Sequence, residues 1–132
     1  MMKRILPITL FLLFALSGCS PVKDEQKPAE YKHITQEEAK EMMARDDGHV
    51  IVDVRRQDEY DEGHIPGAIL IPNESINDEP PEALPDYDQI ILIYCRSGIR
   101  AGQASEKLAA MGYANIYEFG GINTWTGEVV TE

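Results

Sequence analysis

"QIILIYCRSGIRAGQASEKLAAMGY", residues 89–113, changes its hydrophobic period in the middle. From Ile90 to Tyr94 every residue is apolar, the most apolar run after the leader, which fits a strand buried on both faces. From Ala101 onward the apolar residues Ala101, Ala104, Leu108 and Met111 recur on one helical face, and Gly112 supplies a stop. Between strand and helix the chain reverses within a few residues, and Gly98 gives it the conformational freedom to do so. Cys95 therefore stands at the carboxyl end of what should be a central strand, the end at which parallel sheets gather their ligands.

The same alternation continues on both sides. "HVIVDVR", residues 49–55, is a β-branched run from Val50 to Val54 broken only by Asp53, again a strand with two apolar faces. Before it, "ITQEEAKEMMARDDG", residues 34–48, has Thr35 followed three residues on by Glu38, a capping-box pattern. Ala39, Met42 and Met43 then keep helical spacing as core packing, with Gly48 as a stop. "QDEYDEG", residues 57–63, has room for one or two helical turns, and "HIPGAILIPN", residues 64–73, predicts a turn at Ile65-Pro66-Gly67 and a short strand. "INDEPPEALPDYD", residues 76–88, is acidic and proline-broken, a loop with room for a short helix. "ANIYEFGG", residues 114–121, predicts a last strand, and "INTWTG", residues 122–127, a final turn. Strands alternating with helices predict a mostly parallel sheet covered by helices, and 132 residues suffice for one such domain.

The N-terminus has a different character. "MMKRILPITLFLLFALSGCS" carries Lys3 and Arg4, an apolar stretch from Ile5 to Leu16, then small residues, the layout of a secretory signal peptide. That stretch is shorter than the roughly 20 apolar residues needed to span a bilayer. Leu16-Ser17-Gly18-Cys19 resembles the bacterial lipobox, which implies cleavage before Cys19 and its lipidation. Residues 1–18 are accordingly expected to be a lipoprotein signal peptide and 19–30 an acylated N-terminus with a solvated tether. Residues 31–132 are expected to be the folded domain. The protein is then extracytoplasmic, lipid-anchored to a bacterial membrane and facing the periplasm or the cell surface. Ser20, in place of an aspartate, gives no signal for inner-membrane retention.

Charge narrows the partners. Twelve basic against 23 acidic residues give −11, and without Lys3 and Arg4 the balance is 10 against 23, or −13. Nucleic acid, which needs a basic face, is excluded as a partner. With Cys19 lipidated, Cys95 is the one remaining thiol in a compartment that favours disulfides, without an internal partner.

Free cysteine is among the most buried residue types, so packing alone could account for Cys95. Its neighbours Arg96, Ser97, Gly98 and Arg100 are not core residues, however. A tight loop entering a helix aims successive N–H groups inward as an anion cradle, and a sulfur at its base is favoured as the nucleophilic thiolate. From Gln57 to Cys95 there are ten acids and no Lys or Arg; Arg96 and Arg100 then bracket the loop, which predicts a local positive mouth. The fork of Arg100 suits either the loop carbonyls or a bound anion. Asp53, costly as an isolated buried charge, should accept hydrogen bonds near its strand end. Arg55 and Glu59 pair or brace loops, His64 anchors a turn, and Trp125 is an apolar plug.

"VDVRRQDEYDEGHIPGA", residues 52–68, together with "YCRSGIRA" and "GGINTW", resembles the rhodanese-like single-domain sulfurtransferases. The resemblance spans nearly all of residues 31–126. It implies an α/β fold with a five-stranded, mainly parallel sheet and helices on both faces. It further implies transfer of a sulfane sulfur from thiosulfate or a similar donor to a thiol or cyanide through a Cys95 persulfide. Arg96, Ser97, Gly98, Ile99 and Arg100 become the substrate cradle, with Asp53 and Arg55 as braces near the site. No metal or organic cofactor is implied. The resembling family often has a longer spacer and a proline after the tryptophan, whereas "WTGEVVTE" is short and proline-free.

Two other readings compete. A cysteine phosphatase uses the same parts but has five residues between cysteine and arginine, whereas four separate Cys95 from Arg100. A membrane-tethered, non-catalytic sulfur-carrier or binding module would keep the same cysteine. A thioredoxin-like oxidoreductase lacks its second cysteine near Cys95, and His33, His49 and His64 show no zinc-ligand spacing.

Overall fold

The computed structural model describes Gly18 and residues 30–132; the leader, Cys19 and the tether to residue 29 lie outside the described residues. Five strands form one sheet: β1 (Lys32–His33), β2 (Val50–Asp53), β3 (Ile69–Leu70), β4 (Ile90–Cys95) and β5 (Asn115–Gly121). Their order is β1-β5-β4-β2-β3 and every pairing is parallel. β4, the most apolar of them, is the middle strand.

Alternation along the strands divides the core in two. Val52, Ile91, Ile93 and Cys95 face α3 (Ile99–Met111), whose Ala101, Ala104 and Leu108 are fully buried against them. Ile51, Leu92 and Tyr94 face the opposite side, with Ala39, Met42 and Met43 of α1 (Gln36–Met43) and Phe119 of β5. Helices thus cover both faces of an α/β sheet. The third helix, α2 (Gln57–Glu62), follows β2.

Several boundaries differ from the sequence reading, each for a local reason. Thr35 caps α1 by accepting the Glu38 N–H at 3.1 Å, but the helix stops at Met43, well before Gly48. Asp47 instead accepts the backbone N–H of His49 at 3.1 Å, one of the local bonds with which aspartate competes against helix. The short helical turn foreseen in residues 76–88 comes earlier, as a 3-10 turn at Asn73–Ser75. A second 3-10 turn follows β5 at Ile122–Thr124. β1 had no signal at all, being two exposed polar residues held by the edge of β5.

The C-terminal segment folds back. His64 and Val130 exchange two backbone hydrogen bonds of 2.8 Å, and each His64 ring nitrogen lies against a carbonyl, of Tyr60 at 2.9 Å and Glu132 at 2.6 Å. With its ring stacked on Tyr60 at 3.7 Å, His64 holds the turn to the tail. Trp125 lies against Phe119, ring centres 5.7 Å apart, and is only half-buried.

Candidate active site

β4 delivers Cys95 to the carboxyl edge of the sheet with its side chain on the α3 side. The residue is 1% exposed, yet Arg96 and Ser97 after it are open to solvent and Ile99 is 71% exposed. Cys95 is therefore the floor of a loop whose rim faces outward. Gly98 takes φ +108°, a left-handed conformation that glycine adopts at little cost, and this turns its N–H onto Cys95 Sγ at 3.0 Å. The first N–H groups of α3 have no intrahelical acceptor and lie at the positive end of a 13-residue helix. The loop from Arg96 to Arg100 thus carries the chain from β4 into the first turn of α3, with the Gly98 N–H bonded to the sulfur.

The loop rests on β5. Register runs Ile93 opposite Glu118 but Cys95 opposite Gly121, so β5 carries one extra residue, a bulge beside the cysteine. Gly120 takes φ +88° there, and the buried Glu118 carboxylate accepts its N–H while its other oxygen meets His33 Nδ1 at 2.6 Å. Asn123 N–H donates to Arg96 O at 3.1 Å. A side chain on Gly121 would put its Cβ 1.9 Å from that same oxygen, so only glycine lets the loop lie so close. Gln36 secures the turn from above, donating to Gly121 O at 2.9 Å and Thr124 Oγ1 at 3.0 Å.

Two charge pairs stiffen the surroundings. Asp53, wholly buried, accepts the Arg55 backbone N–H at 2.9 Å and its guanidinium at 2.7–3.1 Å, and Arg55 also donates to Gly63 O at 2.6 Å. Both carboxylate oxygens of this buried pair, and the Arg55 Nε and Nη2, have partners, the condition under which a buried pair is tolerated. The second pair joins α2 to α3. Arg100 donates to both oxygens of Glu59, at 2.7 and 2.9 Å, and Glu59 also accepts the Arg56 N–H at 3.0 Å. Those bonds, Arg100's foremost, hold the Glu59 pKa down at about 2 against the opposing effect of burial. Glu59 in turn raises the Arg100 pKa, and Cys95 adds a smaller electrostatic push in the same direction.

The expected residues therefore lie together, but one side chain does different work. Arg100, expected on loop carbonyls or a bound anion, has both terminal nitrogens on Glu59. Arg55 and Glu59 do not pair with each other but brace their surroundings, Arg55 on Asp53 and Gly63 O and Glu59 on Arg100, the other alternative the sequence left open. The positive mouth is also smaller than the sequence suggested: among the described residues Arg96 has no acidic partner, whereas Arg100, Arg55 and Arg56 each have one. Glu118 and Gln36 were missed. A carboxylate inside an apolar strand is the signal that marked Asp53, and Glu118 carries it equally. A cleft of about 810 Å3 on the α1 side, lined by Lys40, Val50, Ile69 and Trp125, does not include Cys95.

Comparison with known proteins agrees with this arrangement. Residues 35–128 match the family model described as a rhodanese-like domain. Thiosulfate sulfurtransferase PspE of Escherichia coli is 37% identical over 71 residues, covering 54% of this chain and 68% of that protein. Thiosulfate sulfurtransferase GlpE of Coxiella burnetii is 34% identical over 96 residues, covering 72% and 87%. A tRNA uridine(34) hydroxylase of Erwinia tasmaniensis is 37% identical over 83 residues, covering 60% of this chain but only 24% of that protein. Among solved structures, a rhodanese with anions from E. coli superposes with a TM-score of 0.58 at 32% identity, covering 64% of this chain and 99% of that one. With the matched model spanning β2 to β5 and the cysteine loop between them, the chain belongs to the rhodanese-like family.

Proposed function

We propose that this protein is a sulfurtransferase that moves a sulfane sulfur from thiosulfate or a similar donor to a thiol or cyanide through a persulfide on Cys95. The observation that carries this reading is the sulfur at the end of the central strand, bonded by Gly98 N–H beneath the first turn of α3. The Cys95 thiolate attacks the outer sulfur of thiosulfate; the new S–S bond forms as the old one breaks, and sulfite leaves with the electron pair. The terminal persulfide sulfur rests beside the first turn of α3, where Gly98 N–H already meets Cys95 Sγ and backbone donors offset its developing negative charge. An acceptor thiolate or cyanide then removes that sulfur and restores Cys95. Sequence similarity to the two thiosulfate sulfurtransferases supports the chemistry.

The test is a thiosulfate assay with mass spectrometry of the protein. Thiosulfate should add one sulfur atom to Cys95, cyanide should remove it with thiocyanate formed over many cycles, and Cys95→Ser should abolish both. A stable persulfide that no acceptor discharges would make the protein a carrier; no persulfide would remove the reading altogether.

The working protein is in this reading tethered to a bacterial membrane by lipid on Cys19 and faces the periplasm or cell surface. Leu16-Ser17-Gly18-Cys19 after an apolar leader supports it. Expressed in a bacterium fed labelled fatty acid, the chain should carry label and sediment with membranes, and Cys19→Ser should lose both. An unlabelled, freely soluble wild type would overturn the anchor.

A further inference from the structure

Packing alone does not explain a carboxylate at Glu118. The residue stands between Tyr117 and Phe119, is 6% exposed, and so bears the desolvation cost of a charge inside an apolar strand. One partner returns little of that cost: His33, whose Nδ1 lies 2.6 Å from Glu118 Oε2, has a side chain 72% exposed, and pairs so open to water add little stability.

The other partner lies at the site. Ile93 stands opposite Glu118 in the β4–β5 register and Cys95 opposite Gly121, so the extra residue of the bulge falls between Glu118 and Gly121. Glu118 Oε1 reaches across that insertion and accepts the Gly120 N–H, closing a local ring in which Gly120 takes φ +88°. Both ends of the cysteine loop rest on the two glycines so held. At one end the Arg96 carbonyl lies over Gly121, where a Cβ would be 1.9 Å from its oxygen. At the other, a Cβ built on Gly98 would lie 3.4 Å from Gly120 Cα and 3.7 Å from Glu118 Oε1, so Gly98 packs against the tie itself. Gly98 is also the residue whose N–H meets Cys95 Sγ at 3.0 Å. A chain of contacts thus runs from His33 through Glu118, Gly120 and Gly98 to the sulfur.

We infer that Glu118 is a positioning residue for Cys95: by holding the β5 bulge through the Gly120 N–H it sets the Gly98 N–H on the sulfur, and His33 fixes the carboxylate from β1. Glu118 touches neither the sulfur nor the donor; what it supplies is an acceptor in one place, not a charge. The inference deepens the sulfurtransferase reading above and rests on it. Without that acceptor no side chain closes the bulge, Gly98 shifts with Gly120, and a donor preorganised for the persulfide anion moves off line.

Second-order rates of Cys95 loading are measured on the full chain by mass spectrometry with thiosulfate, a dianion, and benzenethiosulfonate, a monoanion that leaves the same persulfide. Glu118→Leu should slow loading by about tenfold or more, and equally for the two donors. Glu118→Gln, which removes the charge but keeps a carbonyl oxygen for Gly120, should restore both rates to within about threefold of wild type. Thermal unfolding of the same preparations separates these rates from any loss of fold. His33→Ala, a change at an exposed side chain, gives a second reading that decides where Glu118→Leu does not fold. In the isotope-labelled chain the Gly120 and Gly98 amide resonances should then move together. Wild-type loading by Glu118→Leu, a Gln variant as slow as the Leu one, or faster loading by thiosulfate alone in both variants overturns the inference. So does a Gly98 resonance that stays fixed while that of Gly120 moves. Failure of wild type to load Cys95 from either donor instead removes the sulfurtransferase reading.

Discussion

Glu59 shows how one carboxylate joins two elements around the sulfur. Its oxygens take the Arg100 fork and the N-terminal N–H of α2, and its pKa falls from 4.5 to about 2. A carboxylate with a depressed folded-state pKa contributes stability that is fully present above its unfolded value and lost as pH falls through the folded one. Glu59→Gln should therefore be less stable than wild type by about 1.5–3 kcal/mol at pH 7, the range for hydrogen bonds to a charged group. The gap should close between pH 4.5 and about 2. Urea unfolding of both proteins across that interval checks it, and a gap independent of pH would mean that the charge on Glu59 does nothing. Residues of this kind were only half legible in the sequence. Cys95, its loop and the satisfied Asp53 could be placed from local composition, because each breaks an apolar run where a strand ends. Which arginine meets which acid could not: Arg100 and Glu59 are 41 positions apart, and only the packing of α2 beside α3 brings them together.

The elements around the cysteine work as a pair, loop on bulge. β5 gives up regular register opposite Cys95, and the space so made takes the Arg96 carbonyl directly over Gly121. Gly121 has φ −140° and ψ 157°, extended backbone open to any residue, so the demand for glycine is steric and not conformational. Gly121→Ala should push the loop off β5, costing about 1–3 kcal/mol as an overpacked contact does. Cys95 loading should slow at least tenfold, because Gly98 N–H no longer points at sulfur. Thermal unfolding and loading rates measured on one preparation separate the two effects; an alanine variant with wild-type loading would show that the loop tolerates the shift. Strands β2, β4 and β5 and helix α3 announce themselves by period and by β-branched or apolar runs. β1 does not, since its two residues owe their conformation to Tyr117 and Glu118 of β5 alone. The bulge escaped for the same reason: a one-residue slip between strands is a property of two segments and leaves no mark in either beyond a pair of glycines.

At the scale of the whole molecule, the net charge of −11, or −13 from Cys19 onward, decides how anions approach. Local N–H groups bind at contact distance, but a donor diffusing in from bulk meets the summed field first, and that field repels it. Added salt shortens the reach of this repulsion, from roughly 30 Å at 0.01 M to about 8 Å at 0.15 M. Loading of Cys95 by thiosulfate should therefore speed up with salt, about threefold over that range, the opposite of what a positive mouth would give. Interaction energy scales with the product of the charges, so the logarithm of the rise for a monoanion should be about half that for the dianion. Stopped-flow loading rates in potassium chloride, read for thiosulfate and benzenethiosulfonate side by side, measure both slopes. A thiosulfate rate that falls as salt is added would instead place control of the encounter on Arg96, the cation at the rim that has no acidic partner among the described residues.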